Sequence, residues 1–148
     1  MSTGRDIAAA AGPIGFAIAQ VAYAHRMELV ARLRDLGLYP GQELIVVDLH
    51  ENPDSSQGEL VARLGVDQST VAKALSRMEK AGLVTRARSD ADARIVRTRL
   101  TAQGEGLVRD IQSVWAEVDR LAIGGLEQRE IDHLLQLLAE VRTAIEGK

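Results

Sequence analysis

The stretch GVDQSTVAKALSRMEKAGLV, residues 65–84, decides the fold of this chain. Gly65 suits a tight turn, and Asp67 is of a residue type that caps helices. The apolar spacing that follows predicts a helix over Gln68–Ala81, which a glycine ends. Just upstream, residues 56–64 predict a shorter helix that begins at a serine cap. Two short helices joined by a tight turn are typical of a helix-turn-helix.

Two short segments of alternating polarity follow this pair of helices. They are Leu83–Arg88 and Ile95–Leu100, and the polar loop SDADAR, residues 89–94, separates them. Alternation with a period of two predicts strands, so the segments predict a β-hairpin. A helix-turn-helix followed by a hairpin is a winged helix. We therefore predict a winged helix-turn-helix domain over residues 37–100.

The regions on either side of this domain have the pattern of amphipathic helices. Pro13 suits the first turn of a long helix, and within the domain a short helix is predicted over Gln42–His50. Thr101 predicts the cap of a further long helix, which Gly124-Gly125 ends, and a last amphipathic helix follows. These two C-terminal helices carry more apolar surface than a small domain can cover, which favours burial against a second copy of the chain. We predict a mainly α fold with a small β-hairpin wing, in which residues 1–36 and 101–148 form a helical dimerisation region.

The charge of the chain is unevenly distributed. The formal net charge is −3, but Glu59–Arg99 holds nine Lys and Arg against five Asp and Glu, and the rest of the chain holds nine against sixteen. Charge acts on a partner over about one Debye length, roughly 8–10 Å, so the local balance matters more than the total. A basic middle between acidic flanks is suited to phosphate binding.

The start of the predicted helix Gln68–Ala81 carries side chains that can read bases. In a helix-turn-helix the second helix enters the major groove, and its N-terminal residues reach base edges. The candidate DNA-contacting residues of this helix are Gln68, Ser69, Thr70, Lys73 and Arg77. The alternative is that Ser69 and Thr70 only cap the helix. The basic hairpin beside them favours base contact.

The predicted hairpin is rich in arginine, and strict alternation predicts that the arginines of its strands lie on one face. These are Arg86, Arg88, Arg97 and Arg99. Arg94 lies in the hairpin loop, where an arginine can enter the minor groove, and Asp92 can pair with it and hold the loop in shape. The alternative is a solvated hairpin with incidental charges. We take Arg86, Arg88, Asp92, Arg94 and Arg97 as the candidate DNA-contacting residues of the wing.

Four segments follow one another in a recognisable order. They are GVDQSTV (65–71), EKAGLV (79–84), DAR (92–94) and LTAQG (100–104). Their order and spacing resemble those of MarR-family transcription regulators. The resemblance implies a dimer with interlocked termini that binds a pseudo-palindromic duplex as a repressor, and that a small ligand can release. The family commonly has two successive arginines at the wing tip; here Ala93 precedes Arg94, which implies that Arg94 contacts the minor groove alone.

A histidine, His25, lies on the apolar stripe of the first predicted long helix. A satisfied core histidine is the commoner explanation of such a residue. In the architecture that the resemblance implies, this helix borders the ligand pocket, so Tyr23, His25 and Arg26 become candidate contacts of a small anionic or phenolic effector. Trp115 is expected in the core or the dimer interface instead. His50 and His133 lack a pattern of partner ligands, so we predict no metal.

Other functional classes find little support in the sequence. The chain shows no nucleophile–base spacing and no glycine-rich phosphate loop, so we predict that it is not an enzyme and has no cofactor. An RNA or single-strand binder would use stacking aromatics, but the four aromatic residues lie outside the basic region. A winged helix that binds other proteins and no DNA is the alternative of a different class.

The location of the protein is predicted from its cysteine content and its N-terminal region. The chain has no cysteine, which excludes disulfides. Residues 7–24 are uncharged and resemble a signal peptide, but Asp6 precedes them and Gly12-Pro13 interrupts them. We predict a buried helix here, with no membrane insertion, and a cytoplasmic protein.

Overall fold

The computed structural model describes residues 4–147, which form eight helices and a three-stranded sheet. The helices are α1 (Gly4–Ala11), α2 (Pro13–Asp35), α3 (Gln42–Glu51), α4 (Gln57–Leu64), α5 (Gln68–Lys80), α6 (Ala102–Gly106), α7 (Val108–Ile123) and α8 (Gln128–Glu146). The strands are β1 (Ser55–Ser56), β2 (Val84–Arg88) and β3 (Val96–Leu100). The mainly α fold with a β wing is as predicted. Residues 1–3 and 148 of the predicted dimerisation region lie outside the described residues.

Helices α4 and α5 form the predicted helix-turn-helix, and each begins at a side-chain cap. Ser56 Oγ accepts a hydrogen bond from Glu59 N at 3.2 Å, and Ser56 N donates to Glu59 Oε2 at 2.8 Å, which is a complete capping box. Asp67 accepts from Thr70 N at 3.0 Å and caps α5. Between the two helices Gly65 has φ +65°, a left-handed conformation that glycine adopts without steric cost.

The core joins the helix-turn-helix to the helices around it. It is a single cluster that draws on α2, α3, α4, α5, α7 and the base of the wing, and its fully enclosed side chains include Leu33, Val46, Leu60, Val71, Leu75, Met78 and Ile111. Val71 and Leu75 of α5 and Leu60 of α4 are all buried in this cluster. The run Leu44–Val47 is helical, as predicted, because α3 buries one side of a helix there and not alternate residues.

The sheet has the order β1-β3-β2, with antiparallel neighbours. The predicted hairpin is β2 and β3. Strand β1 was not predicted, because two residues are too few to show an alternating pattern. It pairs Ser55 with Thr98 and Ser56 with Arg97, so the loop before α4 covers the free side of β3.

The prediction that four strand arginines share one face is wrong. Arg86 lies opposite Thr98, whereas Arg97 lies opposite Ala87. Directly paired residues of an antiparallel ladder point to the same side. Arg86 and Arg88 are therefore on one face of the wing, and Arg97 and Arg99 are on the other. Alternation within each strand is as predicted, but the register between strands depends on the length of the loop and cannot be obtained from either strand alone.

The long helix predicted after the wing is divided at Leu107 into α6 and α7. The start of α6 lies tightly against the base of the wing, where Thr101 N donates to Leu83 O at 2.9 Å and Thr101 Oγ1 donates to Gly82 O at 2.6 Å. Gly104 is buried at this contact, and a Cβ atom there would collide with Leu83 O and lie 3.1 Å from Leu100 Cδ2. A glycine is required for so close an approach of two backbones.

The apolar faces at the two ends of the chain are largely uncovered. Helix α8 has no buried residue, and Leu135 and Leu138 are 62% and 54% exposed. The stripe predicted on α2 is buried from Leu29 onward, whereas Ile14 and Val21 nearer its start are exposed. The surplus of apolar surface that the sequence predicts is therefore present in the single chain. No helix within residues 4–147 is long and apolar enough to cross a membrane.

We predict that Gly104→Ala destabilises the fold by about 1–3 kcal/mol, as expected of an atom forced into a closely packed site. The added Cβ must displace either the Leu83 carbonyl or helix α6. Chemical denaturation monitored by circular dichroism measures the change. Gly106→Ala is the matched control, because a Cβ there meets no atom within 4 Å. Equal stability of the two variants would show that the contact is not tight.

Candidate nucleic-acid interface

Helix α5 buries one face and leaves the opposite face free. Val71, Leu75 and Met78 are enclosed in the core. The exposed residues at helical spacing on the other side are Ser69, Lys73, Arg77 and Lys80. Steps of four, four and three residues place these side chains in one stripe along the helix. We call these four residues the α5 stripe.

The hydroxyl groups at the start of α5 are engaged with the cap. Ser69 Oγ donates to Asp67 Oδ1 at 2.6 Å, and Thr70 Oγ1 donates to Asp67 Oδ2. The hydroxyls of Ser69 and Thr70, with the Thr70 backbone N–H, hold the pKa of the Asp67 carboxyl far below its usual range. Capping therefore uses the protons of both hydroxyls. Their oxygen lone pairs stay available to accept a hydrogen bond from a base amino group.

The cations of the α5 stripe differ in how they are held. The guanidinium of Arg77 lies over the ring of Tyr39, 5.5 Å from its centroid, which is a cation–π contact with the turn before α3. Within residues 4–147 Lys73 and Lys80 have no carboxylate within 4 Å. Gln68 is also exposed, at the first position of α5, and its carbonyl accepts from Gln57 Nε2 at 3.5 Å.

The tip of the wing is held by Asp92, as predicted. Arg94 Nε and Nη2 donate to the two oxygens of Asp92 at 3.1 and 3.0 Å, and Arg94 N donates to Oδ1 at 3.0 Å. Arg88 Nη1 braces the same loop by donating to Ala93 O at 2.9 Å. The Arg94 side chain is nevertheless 91% exposed. The loop thus presents one fixed guanidinium to solvent.

The other wing arginines have partners that the sequence did not reveal. Arg86 donates through Nε and Nη2 to Glu79 of α5, both at 3.1 Å, which ties β2 to the end of that helix. Arg97 Nη1 donates to Glu59 Oε2 at 2.9 Å, and Arg99 Nε donates to Asp54 Oδ1 at 2.9 Å. These partners lie up to 45 residues away in the sequence, so no local pattern could identify them.

The three predicted effector contacts differ in their burial. The half-buried ring of His25 packs on Trp115, with ring centroids 5.3 Å apart, whereas Tyr23 and Arg26 are exposed. Trp115 packs against the core, as expected, and its Nε1 is buried with no hydrogen-bond partner in the described part of the chain.

A buried acid, Glu43, was missed by the sequence analysis. It is 2% exposed, and its Oε2 accepts from Gly41 N at 2.6 Å. Burial raises the pKa of its carboxyl, and the charges of His25 and Arg26 oppose that rise. Glu43 thus lies within electrostatic reach of two of the predicted effector contacts. Its position in an apolar helix gives no sequence signal, since exposed first-turn glutamates are common.

An open cleft of about 330 Å³ lies near the end of α2. Its lining residues are Val30, Arg34, Gly37, Leu38, Tyr39 and Pro40. Tyr23, His25 and Arg26 do not line it. Elsewhere, His50 Nδ1 lies 2.7 Å from Glu105 Oε2, and residues 4–147 contain no group of three or more His, Asp and Glu side chains that could hold a metal ion.

Comparison with known proteins agrees with this geometry. The sequence model of the MarR family matches residues 38–96, the winged-helix region. Over 89% of this chain and 93% of the other, the fold is similar to that of the transcriptional regulator SlyA, with 27% identity and a TM-score of 0.83. A probable transcriptional regulator from Pseudomonas aeruginosa is 26% identical, with a TM-score of 0.79 over 86% of this chain and 96% of that one.

A third similar structure contains DNA. It is a putative MarR family transcriptional regulator from Listeria monocytogenes complexed with 26mer DNA, 26% identical, with a TM-score of 0.79 over 86% of this chain and 85% of that one. The family match covers the helix-turn-helix and most of the wing, and the structural likeness extends over the flanking helices as well. Residues 38–96 thus match the sequence model of the MarR family, and the fold over most of the chain is similar to that of these transcriptional regulators.

Proposed function

We propose that this chain is a homodimeric repressor that binds a pseudo-palindromic duplex operator and that a small anionic or phenolic compound releases. The observation that carries the proposal is the α5 stripe, which is exposed on the same domain as a wing tip with a fixed arginine. A dimer bound to an operator blocks the access of other proteins to that DNA, so we assign repression. Transcriptional regulators are not enzymes, and we assign no catalytic residue or cofactor.

The two parts of the interface have different tasks in this proposal. Gln68, Ser69, Thr70 and Lys73 lie at the end of α5 that enters a major groove, where base edges carry a distinct donor and acceptor pattern. Arg77 lies one turn further along and contacts phosphate. At the wing, Arg94 enters the minor groove, with Arg88 and Asp92 shaping its loop and Arg86 and Arg97 near the flanking phosphates. The complex of the similar Listeria protein with 26mer DNA supports the proposal that this chain binds DNA.

Dimerisation through residues 1–36 and 101–148 accounts for the uncovered apolar faces. Large exposed apolar patches mark interaction sites in soluble proteins. Here α8 has no buried residue, and the first half of α2 exposes Ile14 and Val21. A two-fold dimer buries equivalent patches of both copies and places the two α5 helices side by side. The predicted winged-helix domain, residues 37–100, then serves as the DNA-reading part of each subunit.

A winged helix that binds only proteins is the alternative. Such a module would not need a basic face on its wing. The exposed side of α5 instead carries two lysines and an arginine in one stripe, and the wing tip presents Arg94. This charge pattern favours a polyanion.

The effector proposal rests on the region where α2 meets α7. His25 packs on Trp115 there, the indole Nε1 is a donor without a partner among the described residues, and Arg26 adds a positive charge. A carboxylate or phenol could accept from Trp115 and pair with Arg26, with Tyr23 at the rim. Binding there would act on the packing of α2 against α7 within the helical region.

We predict that the dimer prefers a duplex with half-sites about one helical turn, roughly 10 bp, apart. Lys73→Ala or Gln68→Ala should cost about 1–3 kcal/mol and relax the preference at particular base pairs. Arg94→Ala should weaken binding to all sequences and make the salt dependence shallower by about one phosphate contact. Fluorescence anisotropy on operator and scrambled duplexes at several salt concentrations measures these effects.

Arg129→Ala is the matched control for loss of one positive charge, because Arg129 lies on α8, outside the winged-helix domain. It should leave both duplex affinities unchanged. If the wild-type protein binds operator and scrambled duplexes equally and without salt dependence, the winged helix serves a partner other than DNA.

We predict a stable homodimer at micromolar concentration, which sedimentation velocity measures. Leu138 is 54% exposed in the single chain, so Leu138→Asp should be harmless to a monomer. In a dimer it buries an unpaired charge at a cost of several kcal/mol and should cause dissociation or unfolding. His133→Asp on the opposite side of α8 is the control and should leave the dimer intact. A folded wild-type monomer would refute the proposed assembly.

We predict that His25→Ala and Arg26→Ala reduce the release of DNA by phenolic carboxylates and leave DNA affinity without ligand unchanged. The expected cause is loss of the ring contact with Trp115 and of a positive charge. Anisotropy of labelled operator during titration with a panel of these compounds gives the response. Wild-type responses in both variants would place the effector elsewhere.

A further inference from the structure

The outer side of the wing holds a closed group of four charges. It consists of Asp54, Glu59, Arg97 and Arg99, and we call it the outer-edge cluster. Arg97 Nη1 donates to Glu59 Oε2 at 2.9 Å and to Asp54 O at 3.4 Å. Arg99 Nε donates to Asp54 Oδ1 at 2.9 Å. The two guanidinium charges are thus matched by two carboxylates from outside the hairpin.

The outer-edge cluster joins elements that would lie near the DNA backbone. In a helix-turn-helix the first helix crosses the backbone, and the wing extends along the duplex. Glu59 is in the first turn of α4, and its carboxylate also accepts from Ser56 N at 2.8 Å. A helix N-terminal N–H and a guanidinium are both common donors to phosphate. Glu59 therefore occupies two donors that a phosphate group would use.

The backbone of Asp54 supports the same arrangement. Its φ is +65°, and it is the one non-glycine residue with positive φ in the part of the chain that the structure describes. Aspartate and asparagine tolerate this conformation better than other side chains. Its carboxylate and its carbonyl reach different arginines, and the Arg99 side chain lowers the pKa of the Asp54 carboxyl. Both strand arginines are engaged by this loop.

These contacts differ from the pair at the wing tip. The Asp92 carboxylate accepts two hydrogen bonds from the Arg94 guanidinium, which fixes the orientation of that side chain. In the outer-edge cluster each carboxylate receives a single guanidinium N–H, and the side chains of Glu59 and Asp54 are 48% and 45% exposed. The Arg97 and Arg99 side chains are 29% and 66% exposed, so both pairs are in contact with solvent, and solvated pairs of this kind are weak. A phosphate can therefore displace the carboxylate.

We propose that Glu59 and Asp54 limit the affinity for DNA by competing with backbone phosphates for Arg97 and Arg99. The inference rests on the proposed DNA binding and adds the residues that set its strength. Each phosphate contact by these arginines requires an internal ion pair to open, so the protein binds duplex DNA less tightly than its arginine content allows. The competition acts on every sequence equally, since all duplexes present the same phosphates.

Glu59→Gln tests the proposal directly. Glutamine at this position of a capping box still accepts from the Ser56 N–H, so the start of α4 is retained while the charge is removed. We expect roughly two- to fivefold tighter binding to a mixed-sequence duplex, the range for loss of an exposed ion pair. Asp54→Asn, which keeps a residue tolerant of positive φ, should act in the same direction. Fluorescence anisotropy gives the affinities, and thermal unfolding verifies that the variants are folded.

Two controls separate competition from general repulsion between carboxylates and DNA. Glu51→Gln removes an exposed carboxylate at the end of α3 that has no ion pair among the described residues. The DNA affinity of this variant should equal that of the wild type. In an Arg97→Gln background, Glu59→Gln should no longer tighten binding. An equal gain in both backgrounds, or no gain in folded Glu59→Gln and Asp54→Asn, would overturn the proposal. Failure of the wild type to bind any duplex at low salt would instead refute the proposed function.

Discussion

The burial of one side of α5 is the constraint on which the rest of the structure depends. Val71, Leu75 and Met78 are 1% exposed or less, and they share a core with Leu60 of α4. Burial of three such side chains is worth several kcal/mol and fixes the rotation of the helix about its own axis. Because the rotation is fixed, the α5 stripe must face solvent. A surface that reads DNA needs this rigidity, since base contacts tolerate little misplacement.

The contact between Thr101 and the base of the wing extends that constraint to the helical region. Two hydrogen bonds join Thr101 to Gly82 and Leu83, at the junction between α5 and β2, and Gly104 permits the close approach. The end of α5 is therefore connected to α6 by one backbone hydrogen bond and by one from the short Thr101 side chain. This connection fixes the position of the start of α6 relative to the helix-turn-helix.

The features that could be predicted from the sequence are those encoded by neighbouring residues. Ser56, Asp67 and Gly65 carry their own signals for caps and turns, and the structure shows them in these roles. Features that depend on distant residues could not be predicted. The relative faces of Arg86 and Arg97 depend on a register that one residue would reverse, and Glu59 lies 38 residues from Arg97. The surroundings of Glu43 likewise depend on residues distant in the sequence, such as His25 and Arg26, whose charges act on its carboxyl.

The ion pairs also determine which positive charges of the chain are available to a polyanion. Counted along the sequence, the basic middle has nine cations, but in the structure Arg63, Arg86, Arg94, Arg97 and Arg99 each contact a carboxylate. Among the described residues of this region, the cations without such a partner are Lys73, Arg77 and Lys80 on α5 and Arg88 on β2. Three of these four cations therefore lie along α5, and one lies on the wing. A chain with a net charge of −3 can attract a polyanion in this way, because the phosphates that meet α5 lie within a Debye length of its cations and experience little of the acidic surface elsewhere.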